Sequence, residues 1–523
     1  MGGGGAAIVH QEIPEEEIQG LLARAGFTED AVKEVRGEGG FSVVVMVALF
    51  ASLGGMLFGL DIGYIAGVKS MDSFQRDVLG GIKLTAEEDS NITMIFGVGA
   101  AVAAFPPIIS AVVDRLGRKG SVIAGGLVFC VGASLQGCAT GLTVMMVGRF
   151  FAGMSVGLLS ANVPVYQSEI APPSHRGMLV SIYQLAVTVG IMVAFVMALL
   201  LENVEQPIGG WRWVILGQLI PGLLLAVGGI VMPRSPRWLA SKGRYAEALS
   251  TLVSVRGDDE DVRMELAQIC REQEHEAESG RPSWGEFFSG DNLKLLSIGV
   301  ALQLLQQMCG LNAFMYDGPE IFESVFESAH AGRLFTAVSG LVNILSTFPA
   351  IFLVDKKGRT VLLMWSAAGM AVCSAVLAAV GTSCFPKGGE PLCGEWAKGA
   401  VTASICLFIF NFGYGWGPVV WTYCAEMFPM KYRTKAVGLT TDANWIGNIG
   451  IAFLPPIMLK RMGFNMFWVF AVINLFGFWL GKSLPETKDK SLEEINIMFE
   501  KWFHGGRDAE SDSDSDSSSA SNY

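Results

Sequence analysis

Charge is scarce in this chain. Only 16% of its 523 residues are Asp, Glu, Lys or Arg, while 51% are apolar; an average soluble domain carries about 25% charge. So little charge excludes a large soluble protein and points to lipid as the solvent of most of the chain. Basic residues form no stripe interleaved with aromatics, which excludes a nucleic-acid partner. Histidine numbers 5, and no cluster of His, Cys and acid shows metal-ligand spacing, so neither a metal nor a cofactor is expected. No nucleophile–base set and no phosphate loop stands out, which argues against an enzyme. The 9 cysteines are too few for a disulfide scaffold at this length. Six of them, Cys130, Cys138, Cys309, Cys373, Cys406 and Cys424, lie in apolar runs and read as small buried hydrophobes. No basic stretch opens the chain, so no secretory signal peptide is expected. Ala6 breaks the myristoylation pattern that Gly2 begins.

What the chain does hold is apolar runs. About twelve are long enough to cross a bilayer as helices, between residues 41 and 482. A polar stretch over 233–292 divides them six and six. The expected organisation is an N-terminal segment (1–40), a six-helix bundle (41–232), a helical linker (233–292), a second bundle (293–482) and a tail (483–523) disordered from about 505. The net charge of −12 resides mostly outside the spans, in the N-terminal segment, around 257–280 and in the Ser/Asp tail. Lys and Arg of the short loops (Arg115, Arg118, Lys119, Arg176, Lys356, Lys357, Arg359, Lys431, Arg433) all fall on one side once crossings are counted. By the positive-inside rule that side is cytoplasmic, and both termini share it.

The halves repeat each other. Asp114-Arg115-x-Gly117-Arg118 recurs as Asp355-Lys356-x-Gly358-Arg359, Glu169-x-x-Pro172 with Arg176 as Glu426-x-x-Pro429 with Arg433, and Pro233 as Pro485. Three markers at nearly one offset indicate duplication. Two related six-helix halves imply a transporter that rocks about a site at their interface.

These residues, with Phe58 to Gly63, Gly148-Arg149, Pro233 to Trp238, Gln306-Gln307, Gly310-Leu311-Asn312, Trp416-Gly417-Pro418 and Pro485 to Lys488, resemble the sugar porter family of the major facilitator superfamily over about residues 41–500. The resemblance implies an all-α membrane protein of the major facilitator fold. Twelve transmembrane helices would form two six-helix bundles, with cytoplasmic helices between the halves. Two positions depart from the family pattern. Arg234 stands where Glu is usual, and the aromatic pair after Asn312 reads Tyr316-Asp317, which sets an acid near the outer mouth.

Asp61 lies inside an apolar span, where an ionised carboxylate costs about 2.5 kcal/mol or more. A buried acid beside a cation can load a proton on one side and release it on the other. Arg149 is the intramembrane cation best placed to pair with it, and the resemblance assigns that pair to proton coupling. The competing account is a static ion pair that joins two helices. Carboxamides in apolar spans both donate and accept, as sugar hydroxyls do. The resemblance assigns substrate contact to Gln184, Gln306, Gln307, Asn312, Asn343, Trp416 and Asn444; Asn448 shares their setting, and Trp421 and Trp445 offer further apolar faces. Breaks in spans seven and ten are expected at Gly310 and Pro319, and at Gly413, Gly415, Gly417 and Pro418. At the cytoplasmic span ends, Asp114, Arg115, Arg118, Glu169, Arg176, Arg237, Asp355, Arg359, Glu426, Arg433 and Glu486 can latch that side shut. Cys384 and Cys393 share an outside loop that permits a bridge, which spacing alone leaves open.

The reading is therefore a monosaccharide transporter, for a hexose such as glucose, coupled to protons through Asp61. Its partners are sugar, protons and the lipid bilayer. It would act as a monomer, at the plasma membrane, with both termini cytoplasmic. A facilitative hexose or polyol (inositol) uniporter is the alternative, followed by a non-transporting sugar receptor.

Overall fold

A computed structural model of the chain describes residues 14–28, 39–69, 71–81, 85–201, 204, 208–256, 262–278, 284–327, 329–385 and 392–504. The described residues form helices and no strand. In chain order these are α1 (Glu15–Arg24), α2 (Phe41–Ala51), α3 (Leu53–Lys69), α4 (Asp72–Leu79), α5 (Ala86–Ala104), α6 (Pro106–Gly137), α7 (Leu142–Ile170), α8 (Arg176–Leu201), α9 (Gly210–Gly217) and α10 (Leu219–Gly228). The linker gives α11 (Pro236–Ser241), α12 (Tyr245–Val255) and α13 (Val262–Glu278). The second half gives α14 (Trp284–Phe287), α15 (Gly290–Met308), α16 (Leu311–Phe326), α17 (Ala329–Lys357), α18 (Arg359–Cys384), α19 (Glu395–Tyr414), α20 (Trp416–Glu426), α21 (Met430–Met462), α22 (Met466–Ser483) and α23 (Leu492–Phe503).

Among the described residues, ten helical runs are long and apolar enough to span a bilayer. One of them, Lys431–Ser483, holds both α21 and α22, and the shorter apolar stretch Asn91–Ala104 belongs to α5. Twelve transmembrane helices in two bundles result. Their outward faces are apolar: Leu200, Val372, Trp365 and Trp479 are all well exposed, as a lipid solvent requires and water would punish.

Several spans are built from two pieces. The second span bends at Phe105, because the residue before a proline is driven out of the α region and Pro106-Pro107 follow. The seventh breaks at Gly310, whose φ of +107° favours glycine. Pro319 does not break it, since α16 runs on to Phe326; one missing N–H leaves the rest of that ladder intact. The tenth breaks at Gly415, between α19 and α20.

The repeated motif folds alike in both halves. Gly117 at φ +74° and Gly358 at φ +95° each reverse the chain in a left-handed conformation. Each is followed by an arginine that turns back into its own bundle. The duplication read from sequence is thus a duplication of backbone conformation.

The described residues fall into two compact units. One lies within Met1–Met46 and Pro233–Pro282, the other within Val47–Met232 and Ser283–Tyr523. In the first, Ile18, Leu21 and Leu22 of α1 bury against Trp238, Leu239, Leu252, Leu266 and Cys270 of the linker helices. Arg24–Glu274 (2.9 Å) and Arg271–Glu17 (3.7 Å) flank this core. Residues 257–261 of the acidic segment, the Ser/Asp tail from 505 and the Asp317 side chain lie outside the described set.

Candidate functional site

Asp61 sits in the middle of α3 and is fully buried. α3 can come close to α8 because glycines line the contact: a Cβ on Gly59 would collide with the Val187 carbonyl. Across from Asp61, α7 presents Arg149, also buried, with Nη2 3.5 Å from Asp61 Oδ2. That separation exceeds a charge-assisted hydrogen bond of about 2.8 Å. Neither Asp61 oxygen has a hydrogen-bond partner. Arg149 is held elsewhere. Its Nε donates to the Ile92 carbonyl at 2.6 Å and its Nη1 to the Tyr64 hydroxyl at 2.6 Å. Tyr64 in turn donates to Gln136 Oε1.

A second polar centre lies in the C-terminal bundle. Gln303, Gln306 and Gln307 fall on one face of α15, as their spacing of three and four dictates. Facing them, α21 presents Asn444 and Asn448. Gln307 Nε2 donates to Asn444 Oδ1 at 2.8 Å, and Asn448 Nδ2 donates to Gln307 Oε1 at 3.2 Å. Asn444 Nδ2 reaches Gln306 Oε1 at 2.7 Å and Gln303 Oε1 at 2.6 Å. Asn312, just past the Gly310 break, also donates to Gln307 Oε1. Gln306 Nε2 donates to two carbonyls just past the tenth-helix break, Trp416 O (2.8 Å) and Gly417 O (2.9 Å). From the other half, Gln184 Nε2 stands 3.4 Å from where a Gly417 Cβ would lie.

Six of the expected substrate residues thus converge: Gln184, Gln306, Gln307, Asn312, Asn444 and Trp416. Asn343 does not join them. It is buried on α17 and its Oδ1 has no partner among the described residues. The Trp416 indole donates to Leu363 O at 2.9 Å, inside its own bundle. Trp445 faces the other half, tilted against Phe58 (4.9 Å), edge-on to Phe96 (5.6 Å) and donating to Ser160 Oγ at 3.2 Å. Gln303, Tyr64 and Gln136 were absent from the sequence candidates. Helical spacing from Gln307 and from Asp61 points to the first two; Gln136 carried only its polarity within an apolar run.

The span-end charges form a third cluster. Arg118 clasps Glu169 through Nε (3.0 Å) and Nη2 (2.9 Å) in the first half, and Arg359 Nη2 takes Glu426 at 2.8 Å in the second. Glu426 also accepts from Thr487 Oγ1 at 2.8 Å, while Glu486 accepts the backbone N–H of Arg359 (2.9 Å) and of Thr360 (3.0 Å). Three residues of this cluster, Arg433, Asp355 and Arg176, reach across to the other half. Arg433 Nη1 lies 3.9 Å from Glu169, and Asp355 accepts from the N–H of Gly177 (3.1 Å) and Met178 (2.7 Å) at the start of α8. A carboxylate on a helix N-terminus satisfies orphan donors there. Arg176 Nη1 donates to Lys490 O at 3.2 Å. Asp114 and Arg115, the sequence counterparts of Asp355 and Lys356, are exposed and join no partner among the described residues. Arg237 bonds Glu272 at 3.0 Å within the linker. Cys384 and Cys393 have their sulfurs 2.08 Å apart.

A family model described as Sugar (and other) transporter matches residues 47–499. The chain belongs to this family. Among similar proteins, the galactose-proton symporter of Escherichia coli strain K12 is 35% identical over 482 residues, covering 90% of this chain and 97% of its own. The solved structure of the major facilitator superfamily proton:xylose symporter XylE bound to 6-bromo-6-deoxy-D-glucose superposes with a TM-score of 0.77 at 26% identity, covering 88% of this transporter and 99% of that chain. The inward-open conformation of the xylose transporter XylE from E. coli superposes less well, with a TM-score of 0.62 at 25% identity over 86% of this transporter and 99% of that chain. This transporter is a multi-pass membrane protein of the sugar-transporting major facilitator type, and its family is one of carriers, not enzymes.

Proposed function

We propose that this transporter carries a hexose, such as glucose, together with a proton, by alternating exposure of the Gln306–Gln307–Asn312–Asn444 centre. The observation that carries the reading is Asp61: a fully buried acid, 3.5 Å from a cation, with no hydrogen bond on either oxygen. A purely structural ion pair would close that distance, because an unsatisfied buried charge is costly. The proton-coupled relatives support the same reading. Carboxamides that bond one another can exchange those bonds for sugar hydroxyls at little net cost. Gln184 and Trp416 complete the sugar's surroundings, and Asn343 lends a buried acceptor.

The charged end is cytoplasmic on this reading, with both termini on that side, the plasma membrane as location and a monomer as the working unit. Its ion pairs latch that side, and the better match to the sugar-bound than to the inward-open xylose symporter supports a latched state. The test is purified protein in vesicles, followed for internal pH during sugar entry. Coupled transport acidifies the lumen; sugar entry without proton entry leaves a facilitative carrier. Within the site, Gln307→Ala is expected to raise the apparent KM for the sugar about tenfold or more with normal surface expression. The lost amide serves three neighbours, and each unpaired buried polar group costs about 1–3 kcal/mol, with about 1.4 kcal/mol per tenfold. Unchanged uptake kinetics would remove Gln307 from the site.

A further inference from the structure

We propose that Tyr64 and Gln136 are positioning residues that hold Arg149 off Asp61 and so keep that acid free to bind and release a proton. The inference rests on the reading of Asp61 as the proton site, and it adds how the site is kept open. A guanidinium beside a carboxylate ordinarily forms a bidentate pair, with two parallel N–H···O bonds. Here that pairing is prevented on two sides. Ile92 O takes the Nε hydrogen and the Tyr64 oxygen takes an Nη1 hydrogen. The remaining approach, Nη2 to Asp61, stops at 3.5 Å.

The Tyr64 hydroxyl is itself beside Asp61, one helical turn along the same face. It does not donate to the acid, because its one hydrogen goes to Gln136 Oε1. Gln136, buried on α6, thereby fixes the direction of the hydroxyl. With its hydrogen committed, Tyr64 offers Arg149 a lone pair. The chain Gln136–Tyr64–Arg149 is a lever whose free end sets the distance to Asp61.

Among the described residues, no charge other than Arg149 bears on Asp61. α8 meets α3 there through Val187, Gly190, Ile191 and Ala194. α10 has no titratable residue. On α6, Asp114, Arg115, Arg118 and Lys119 lie beyond Ser121 at the far end, and Cys130 faces Gly222. On α7, Tyr166 and Glu169 are several turns past Arg149. Arg212 of α9 and Arg76 of α4 pair with Asp77, Asp72 opens α4 exposed, and Lys69 bonds Thr93. Tyr316 of α16 bears on Arg149 from the other half and donates to Asn448 Oδ1 at 3.3 Å.

The sign of each substitution follows. Tyr64→Phe frees an Arg149 N–H to turn onto Asp61. Gln136→Leu frees the Tyr64 hydrogen to do the same. Both place a donor on the charged form of the acid, which favours ionisation. The measurement uses full-length protein in lipid vesicles and infrared spectra over a pH series, reading the protonated-carboxyl band that Asp61→Asn lacks. Tyr64→Phe and Gln136→Leu are each expected to shift the loss of that band about one pH unit toward acid. Tyr183→Phe, which removes another buried hydroxyl, is the control and should leave it in place. An unmoved midpoint in both variants, or an equal shift in the control, overturns the proposal. The band is read without sugar, so the two readings fail separately: vesicles that move sugar without protons would defeat coupling, yet a shifted band would still uphold the lever.

Discussion

Asp61→Asn is expected to reduce concentrative sugar uptake to equilibration while sparing exchange. A proton entering down one pH unit supplies about 1.4 kcal/mol, enough for about tenfold accumulation. Asparagine keeps the size of the side chain and can still accept from Arg149, so helix packing around α3 and α7 is retained. It cannot release a proton, so the gradient no longer drives the cycle. Labelled glucose in vesicles with an imposed pH gradient reads accumulation; counterflow without a gradient reads exchange. Retained, uncoupler-sensitive accumulation by Asp61→Asn would show that the proton travels elsewhere. Loss of exchange as well would instead make the pair a structural joint between α3 and α7.

Glu426→Lys is expected to unlatch the charged end. Glu426 is fully buried, bonded to Arg359 at 2.8 Å and to Thr487 at 2.8 Å. Arg359 also lies 3.1 Å from Asp355, which reaches across to the first half at Gly177 and Met178. Breaking a buried pair costs about 3–5 kcal/mol because the remaining charge is left uncompensated. Concentrated in the latched state, that cost shifts the population by more than about a hundredfold toward the open one. Spin labels on Arg115→Cys and Lys357→Cys, exposed at this end of the two halves, report the opening as longer distances. Glu426→Gln keeps the volume and the Thr487 bond, so it should move the same way by less and guards against misfolding. Identical distance distributions in both variants would mean that Glu426 does not control the state.

The latch shows how far sequence could reach. Duplicated motifs announced symmetrical partners, and Arg118–Glu169 and Arg359–Glu426 are symmetrical. Nothing in the motif signals that Asp355 crosses to the other half while Asp114 remains exposed. That difference arises from the relative placement of two bundles whose local motifs are nearly alike. The amide centre divides in the same way. Gln306, Gln307 and Asn444 were legible as carboxamides in apolar runs. Asn343 has the same signature but its Oδ1 bonds to none of the cluster, since a helix rotated by a fraction of a turn decides which neighbours a polar side chain meets. Pro319 carried a breaking signal that Gly310 alone fulfils, because only glycine adopts the left-handed backbone at the bend without strain.

By itself the sequence determined the solvent, the number of spans, the duplication and the residue types that can face a sugar or hold a proton. Those follow from local hydropathy and from the cost of burying polar groups, which act residue by residue. The tertiary structure alone decided the distances: that Arg149 stops short of Asp61, that Tyr64 and Gln136 keep it there, and which carboxylates bridge the two halves. Such separations depend on packing between helices far apart in the chain, where a shift of less than an ångström turns a closed ion pair into an exchangeable one.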